Sequence, residues 1–274
     1  MRVSAPCSTL VLLSVLSCAP ARSFSQPALP SGSAHYKIHL QDKTIGECDY
    51  TLQPTPNGYS ITSHGKLNLT KFSYSFTNTQ LLDSSFNLIR DELSGSVAGS
   101  PVSFIAAADS TGRQFAITVS ANGSQTQNTL DRHQHLVLLP DLDPAAYLLL
   151  TAVVIQHPPT SWILIPKENG ILVPSTITPE SSLRGQLNGS QIDALHATVA
   201  INSENAIDVD LFFTSDGRLL EADLPQQNFT VVRDGFKMTE RSAPAAPAQS
   251  SAAPKTAPTR FPAPRGSYPH TQEQ

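Results

Sequence analysis

Residues 143–156 read DPAAYLLLTAVVIQ. Asp143 suits an N-cap, because its carboxylate can accept a backbone N–H of the first turn, and Pro144 suits the first helical position. Pro158 and Pro159 forbid continuation. No charge falls between Pro144 and Ile155. A helix that is apolar all round must be buried on most sides. At about 1.5 Å per residue it spans roughly 20 Å, too short to cross a bilayer. The β-branched run Val153-Val154-Ile155 also suits a buried strand. The caps favour the helix, and its natural seat is the concave face of a strongly curved sheet.

The flanking sequence supplies such a sheet. Period-2 alternation dominates residues 34–140. Tyr36, Ile38 and Leu40 share one strand face, which leaves His35 and His39 on the opposite, solvent side. Phe72, Tyr74 and Phe76 alternate with Ser73, Ser75 and Thr77. Asn57-Gly58 and Asn122-Gly123 are hairpin signals, since type I′ turns need positive φ at both central positions. After the apolar segment, strands are expected at 162–166, 170–177, 183–188, 192–201 and 207–214. Asp216-Gly217 then turns the chain back through Arg218 to Asp223, and a last strand runs from Phe229 to Arg233. Consecutive strands without alternating helices argue against a doubly wound parallel sheet. The predicted fold is mainly β, a curved antiparallel sheet or half-barrel with one buried apolar helix.

The ends differ from this body. Met1-Arg2 precedes the apolar run Thr9–Leu16, the pattern of a secretory signal over residues 1–21. Ala19-Pro20-Ala21 fits small-x-small cleavage, whereas Val15-Leu16-Ser17-Cys18 resembles a bacterial lipobox, with Leu16 bulkier than usual. Lipidation of Cys18 would anchor the protein to a membrane without spanning it. Residues 22–33 are a Ser/Pro-rich linker. The β-rich domain is expected over 34–234, and residues 235–274 form a Pro/Ala-rich tail that lacks the apolar surface to offset ordering entropy.

Of the 274 residues, 15% are charged, and Ser and Thr number 55, so hydroxyls and amides supply much of the polarity. Residues 34–234 carry 11 basic and 20 acidic side chains. Nothing in this balance attracts nucleic acid. Cys48, alone in the expected domain, has no disulfide partner there and reads as a small buried strand residue.

Motifs for chemistry are sparse. G-x-S-x-G, P-loop, G-x-G-x-x-G and H-E-x-x-H patterns are absent. Asp109-Ser110-Thr111-Gly112 is one residue too long for the aspartic-protease loop and reads as a turn. Asp208 and Asp210 sit on a polar strand face. In a strand, Asp131, His133 and His135 would form one stripe of metal-ligating types, although its ends would lie roughly 13 Å apart. His157 or His196 would have to approach in space to complete a site. No cofactor is indicated.

Two stretches carry a resemblance. His35–Gly65 has a strand starting near Tyr36, then Ile45-Gly46-Glu47 and an Asn57-Gly58-Tyr59 hairpin. Asp208–Arg233 has Asp216-Gly217-Arg218-Leu219-Leu220, then Leu224-Pro225 and a terminal Val232-Arg233. This layout resembles exported Gram-negative proteins known as domain of unknown function 3108. The resemblance implies an exported β-rich protein with a curved sheet similar to lipoprotein carriers, and it brings no catalytic residues.

The expected role is that of a non-enzymatic envelope protein in the periplasm, outer membrane or cell surface of a Gram-negative bacterium. An apolar, lipid-like ligand would lie in the concavity against Phe72, Tyr74, Phe76, Tyr147 and Leu150. The opposing expectation is that these side chains simply fill the core. Two other readings compete: an envelope hydrolase with a metal at Asp131, His133 and His135, and a structural protein that recruits an unidentified partner through a strand edge or its tail.

Overall fold

The computed structural model describes residues 29–69, 72–156, 158, 160–166, 170–203 and 207–239. The expected signal, most of the linker, Cys18, His157 and all of the tail from 240 onward lie outside the described residues.

Eight strands follow one another as an antiparallel meander: β1 (Gly32–Leu40), β2 (Lys43–Thr55), β3 (Gly58–Leu69), β4 (Phe72–Asp83), β5 (Leu88–Val97), β6 (Ser100–Ala108), β7 (Gln114–Ala121) and β8 (Ser124–Asp131). A short β9 (Leu136–Leu138) leads into helix α1 (Pro144–Gln156) and then β10 (Ser161–Ile165). Strands β9 and β10 pair in parallel, the one such pairing among the described strands, because the helix must cross between them. The meander resumes with β11 (Ile171–Leu187), β12 (Ser190–Ile201), β13 (Ile207–Phe213), β14 (Leu219–Leu224) and β15 (Phe229–Arg233). Strand β15 pairs with β1, with Tyr36 opposite Arg233, so the two halves join in one sheet whose ends are β8 and β9. A final β16 (Phe236–Met238) pairs with the C-terminal part of β11.

The sheet curls around α1. Residues Pro144–Val154 are all buried, and the helix packs against β2, β3, β9, β13 and β14. The inward strand faces, among them Tyr36, Ile38, Ile61, Phe104, Ile117, Val209 and Leu211, form one core with it. The Asp143 carboxylate caps the helix, accepting the Ala145 N–H at 2.9 Å. The Thr151 hydroxyl reaches the carbonyls of Leu148 and Gly217 at 2.7 and 2.9 Å, which ties the helix to the β13–β14 turn.

Three details depart from the sequence reading. The hairpin at Asn57-Gly58 forms, but Thr55 already pairs with Gly58, so the turn residues are Pro56 and Asn57. Proline's fixed negative φ rules out the expected type I′ geometry. Gly58 opens β3 at φ +150°, where a Cβ would stand 2.1 Å from the Leu82 carbonyl oxygen. Asn122 and Gly123, at φ +52° and +75°, do adopt the expected turn. The segments expected at 170–177 and 183–188 are one bulged strand, with the register shifting between Glu180 and Leu183. Finally, β1 begins inside the expected linker and β16 lies inside the expected tail. Phe236 explains the latter: with Ala194, Phe212 and Leu220 it builds a second, smaller core on the opposite face of the sheet.

Candidate functional site at the mouth of the curled sheet

At the end of the sheet where α1 begins, the barrel wall does not close on its helix. One lobe of about 390 Å³ lies among Leu67, Leu69, Phe72, Leu142, Leu224 and Phe229. A second, of about 240 Å³, lies among Leu93, Val97, Phe104, Val119, Pro140 and Ile165. Tyr74, Val97 and Asp141 border both, so the lobes meet at one seam. The Tyr74 ring stacks on Phe76 at 5.4 Å, and burial, then the charges of Asp141 and Asp143, push its phenol pKa up.

The five residues expected to touch a ligand are divided by this geometry. Phe72 is 41% exposed and, with Tyr74, lines the mouth. Phe76, Tyr147 and Leu150 are buried in the core. The deep concavity is thus occupied by the helix, and the open apolar space around Tyr74 and Val97 lies near its N-terminal end.

The metal stripe is not assembled. Strand β8 ends at Asp131, and His135 turns into the left-handed region at φ +54°, so the three side chains do not share a strand face. Asp131 accepts a hydrogen bond from the Gln114 amide at 3.4 Å, and the His133 ring stacks on Trp162 at 4.0 Å. Among the described residues no three His, Cys, Asp or Glu side chains come together as a metal site. His196 lies elsewhere, bonded to Asp210 at 3.2 Å. Together with the Thr198 hydroxyl it holds the Asp210 carboxyl below its usual range, so this acid belongs to a cross-strand pair rather than a simple solvated face. Cys48 is buried and free, and burial raises its thiol pKa.

Beneath the mouth lies a polar cluster that the sequence reading missed. Ser63 on β3 stands opposite Asn78 on β4, and Gln80 stands opposite Asp91 on β5. All four are buried, as is Asp143. Asn78 donates to the second Asp143 oxygen at 3.0 Å. Both carboxyl oxygens of Asp91, both amide atoms of Gln80, Asn78 Oδ1 and Ser63 Oγ have no hydrogen-bond partner of good geometry. Burial raises the Asp91 pKa far above the ordinary carboxylate range and the Asp143 charge adds to this, while the nearby Asn78 and Gln80 amides oppose it. Burial also raises Asp143, against Asn78, Ser63 and the Ala145 N–H. Two like charges in a dry site cannot both be held cheaply. Asp91, without a bonded donor, is the one that keeps its proton. The signal was present in the sequence: Asn78 and Gln80 continue the inward phase of Tyr74 and Phe76, a polar interruption of an apolar stripe.

These features define a class: a barrel-like protein whose curled sheet wraps one apolar helix. No protein-family model matches the chain, and no curated protein does. Among solved structures, it is similar to a β-barrel-like protein of domain of unknown function DUF1849 from Brucella abortus, with a TM-score of 0.50 at 10% identity over 78% of this chain and 100% of that one. A DUF1089 family protein from Pseudomonas aeruginosa aligns with a TM-score of 0.41 at 12% identity, over 80% of this chain and 98% of that one. The first likeness supports the barrel-like fold and carries no activity with it.

Proposed function

We propose that this is an exported envelope protein that binds an apolar, lipid-like ligand at the mouth of the curled sheet, without catalysis. The observation that carries the reading is the two-lobed apolar cleft around Tyr74 and Val97. Ligand pockets are typically apolar clefts of roughly 300–1,000 Å³ with a few polar groups. Here the Tyr74 phenol and the Asp141 carboxylate are the polar groups at the seam. The buried polar cluster lies too deep to reach such a ligand and belongs to the wall.

Export rests on the residue 1–21 signal, and membrane attachment on the lipobox-like end at Cys18. The resemblance to the domain-of-unknown-function 3108 class implies export as well. Mass spectrometry of the N-terminal peptide from a membrane fraction tests them. A diacylated Cys18 supports anchoring, and a free N-terminus at Arg22 supports simple export.

The ligand itself is tested by native mass spectrometry and by displacement of a fluorescent fatty-acyl probe. A saturable site of one probe per chain is expected. A Val97→Trp change would place an indole at the seam and abolish binding while circular dichroism stays unchanged. Absence of saturable binding, or binding indifferent to Val97→Trp, overturns the proposal.

A further inference from the structure

The end of the sheet away from the mouth carries a cleft of different chemistry. Three connections meet there: β4–β5 at Asp83–Asn87, β6–β7 at Asp109–Arg113, and β8–β9 at Arg132–His135. Between them is a polar cleft of about 440 Å³ lined by Asp83, Asn87, Arg113, Arg132, His133 and Gln134, with Gly112 at its edge.

One of its cations, Arg132, is held in place by neutral acceptors. The Arg132 guanidinium donates from Nε and Nη2 to the Leu88 carbonyl at 3.2 and 2.9 Å, and from Nη1 to the Gly112 carbonyl at 3.4 Å. It also lies over the Phe115 ring at 5.7 Å. Carbonyls fix its position but leave its charge in place. Arg113 is exposed, and among the described residues neither guanidinium is joined to a carboxylate, unlike Arg90 and Arg218. The His133 ring is set by its stack on Trp162.

The nearby acids are engaged in their own turns. Asp83 accepts the backbone N–H groups of Ser85 and Asn87 and the Asn87 side-chain amide. Asp109 accepts from the Thr111 hydroxyl and from the Arg113 and Gln114 N–H groups. Asp131 turns to Gln114. These carboxylates keep their charge but direct their lone pairs into their own turns, so the Arg113 donors and the remaining Arg132 N–H groups are left to take an outside acceptor.

We propose that this cleft binds a phosphate group, its oxygens held between Arg113 and Arg132 with His133 beside them. Two guanidinium charges from separate loops suit a dianion better than a carboxylate, and planar guanidinium donors match phosphate oxygens. The cleft exceeds the volume of bare phosphate and accommodates the body of a phosphate ester.

Trp162 is the only tryptophan in the chain, so its emission reports on the His133 side of this cleft. The experiment titrates the mature protein with inorganic phosphate, glycerol phosphate, acetate and chloride at matched ionic strength. Trp162 emission and calorimetry are followed together. Phosphate and glycerol phosphate should bind saturably, acetate at least about tenfold more weakly, and chloride not at all. Charged hydrogen bonds are worth about 1.5–3 kcal/mol, so Arg113→Gln should weaken phosphate binding about ten- to a hundredfold. Arg184→Gln, on β11, should leave it unchanged. Binding of chloride or acetate equal to phosphate, or an Arg113→Gln protein that binds as the parent does, overturns the proposal. Vesicles containing phosphatidic acid separate two sources. Capture that Arg113→Gln abolishes assigns the phosphate to a lipid headgroup. Glycerol phosphate binding without capture assigns it to a free ester. Either result upholds the site, and the absence of both overturns it.

Discussion

Asp91 is a carboxyl in the dry wall of the barrel, with Gln80 beside it and Asp143 close enough to raise its pKa. A carboxyl whose pKa rises on folding keeps its proton where the unfolded chain has lost it. The stability it contributes is complete below the ordinary carboxylate range and is lost as pH climbs through the folded value. The lowered acids Asp109, Asp210 and Asp234 titrate below that range and do not alter it. Asp91→Asn should therefore stabilise the protein at pH 7 by about 1–3 kcal/mol, with the gain shrinking towards pH 4. Urea denaturation of both proteins across this interval checks the sign. Gly65 offers a second residue-scale outcome. A Cβ there would stand 2.1 Å from the Phe76 ring. Gly65→Ala must displace that ring, and overpacking of this kind costs about 1–3 kcal/mol in the same assay. Gly65 and Phe76 face each other only through the β3–β4 register, which local sequence does not state.

At the scale of elements, α1 was legible because its signals are local: a cap, a proline at each boundary and no charge between them. Its partners were not, since an element apolar all round gives no direction in which to point. Leu148 is fully buried on it, and Leu148→Ala should cost about 2–5 kcal/mol, read as a shift in urea midpoint. Asp143 serves the helix and the wall at once, through Ala145 and Asn78. Asp143→Asn keeps a capping oxygen, whereas Asp143→Ala loses the cap and strands the Asn78 amide. Alanine should therefore be the more destabilising of the two by about 1–2 kcal/mol in parallel denaturation curves. The strands were legible for the same local reason, through alternation. Pro56 shows the limit, because an Asn-Gly pair announced a hairpin correctly while the neighbouring proline decided which residues turned. The stripe at Asp131, His133 and His135 failed similarly: its spacing assumed a strand that stops at Asp131.

At the scale of the molecule, a curved sheet around a helix follows from the order of strands and the apolar segment between them. The join of the two halves does not. Tyr36 pairs with Arg233 and Leu40 with Phe229, contacts between the two ends of the described chain that no period along the sequence announces. Nor did alternation place the two clefts, which arise where loops from distant strands meet. Folding that depends on such distant pairings is slow, since loop closure precedes any reward from contact. Refolding from urea should be slower than the milliseconds of small helical domains, with a late phase that stopped-flow fluorescence of Trp162 detects.

The pairing of β1 with β15 also bears on how the chain is born. A polypeptide that emerges N-terminus first presents β1 early, yet its partner, Phe229–Arg233, comes almost last. Until then β1 keeps one edge bare, and α1 lacks the walls that β13 and β14 provide. The sheet that unites the two halves, and the full enclosure of α1, are thus completed only once Phe229–Arg233 has been made.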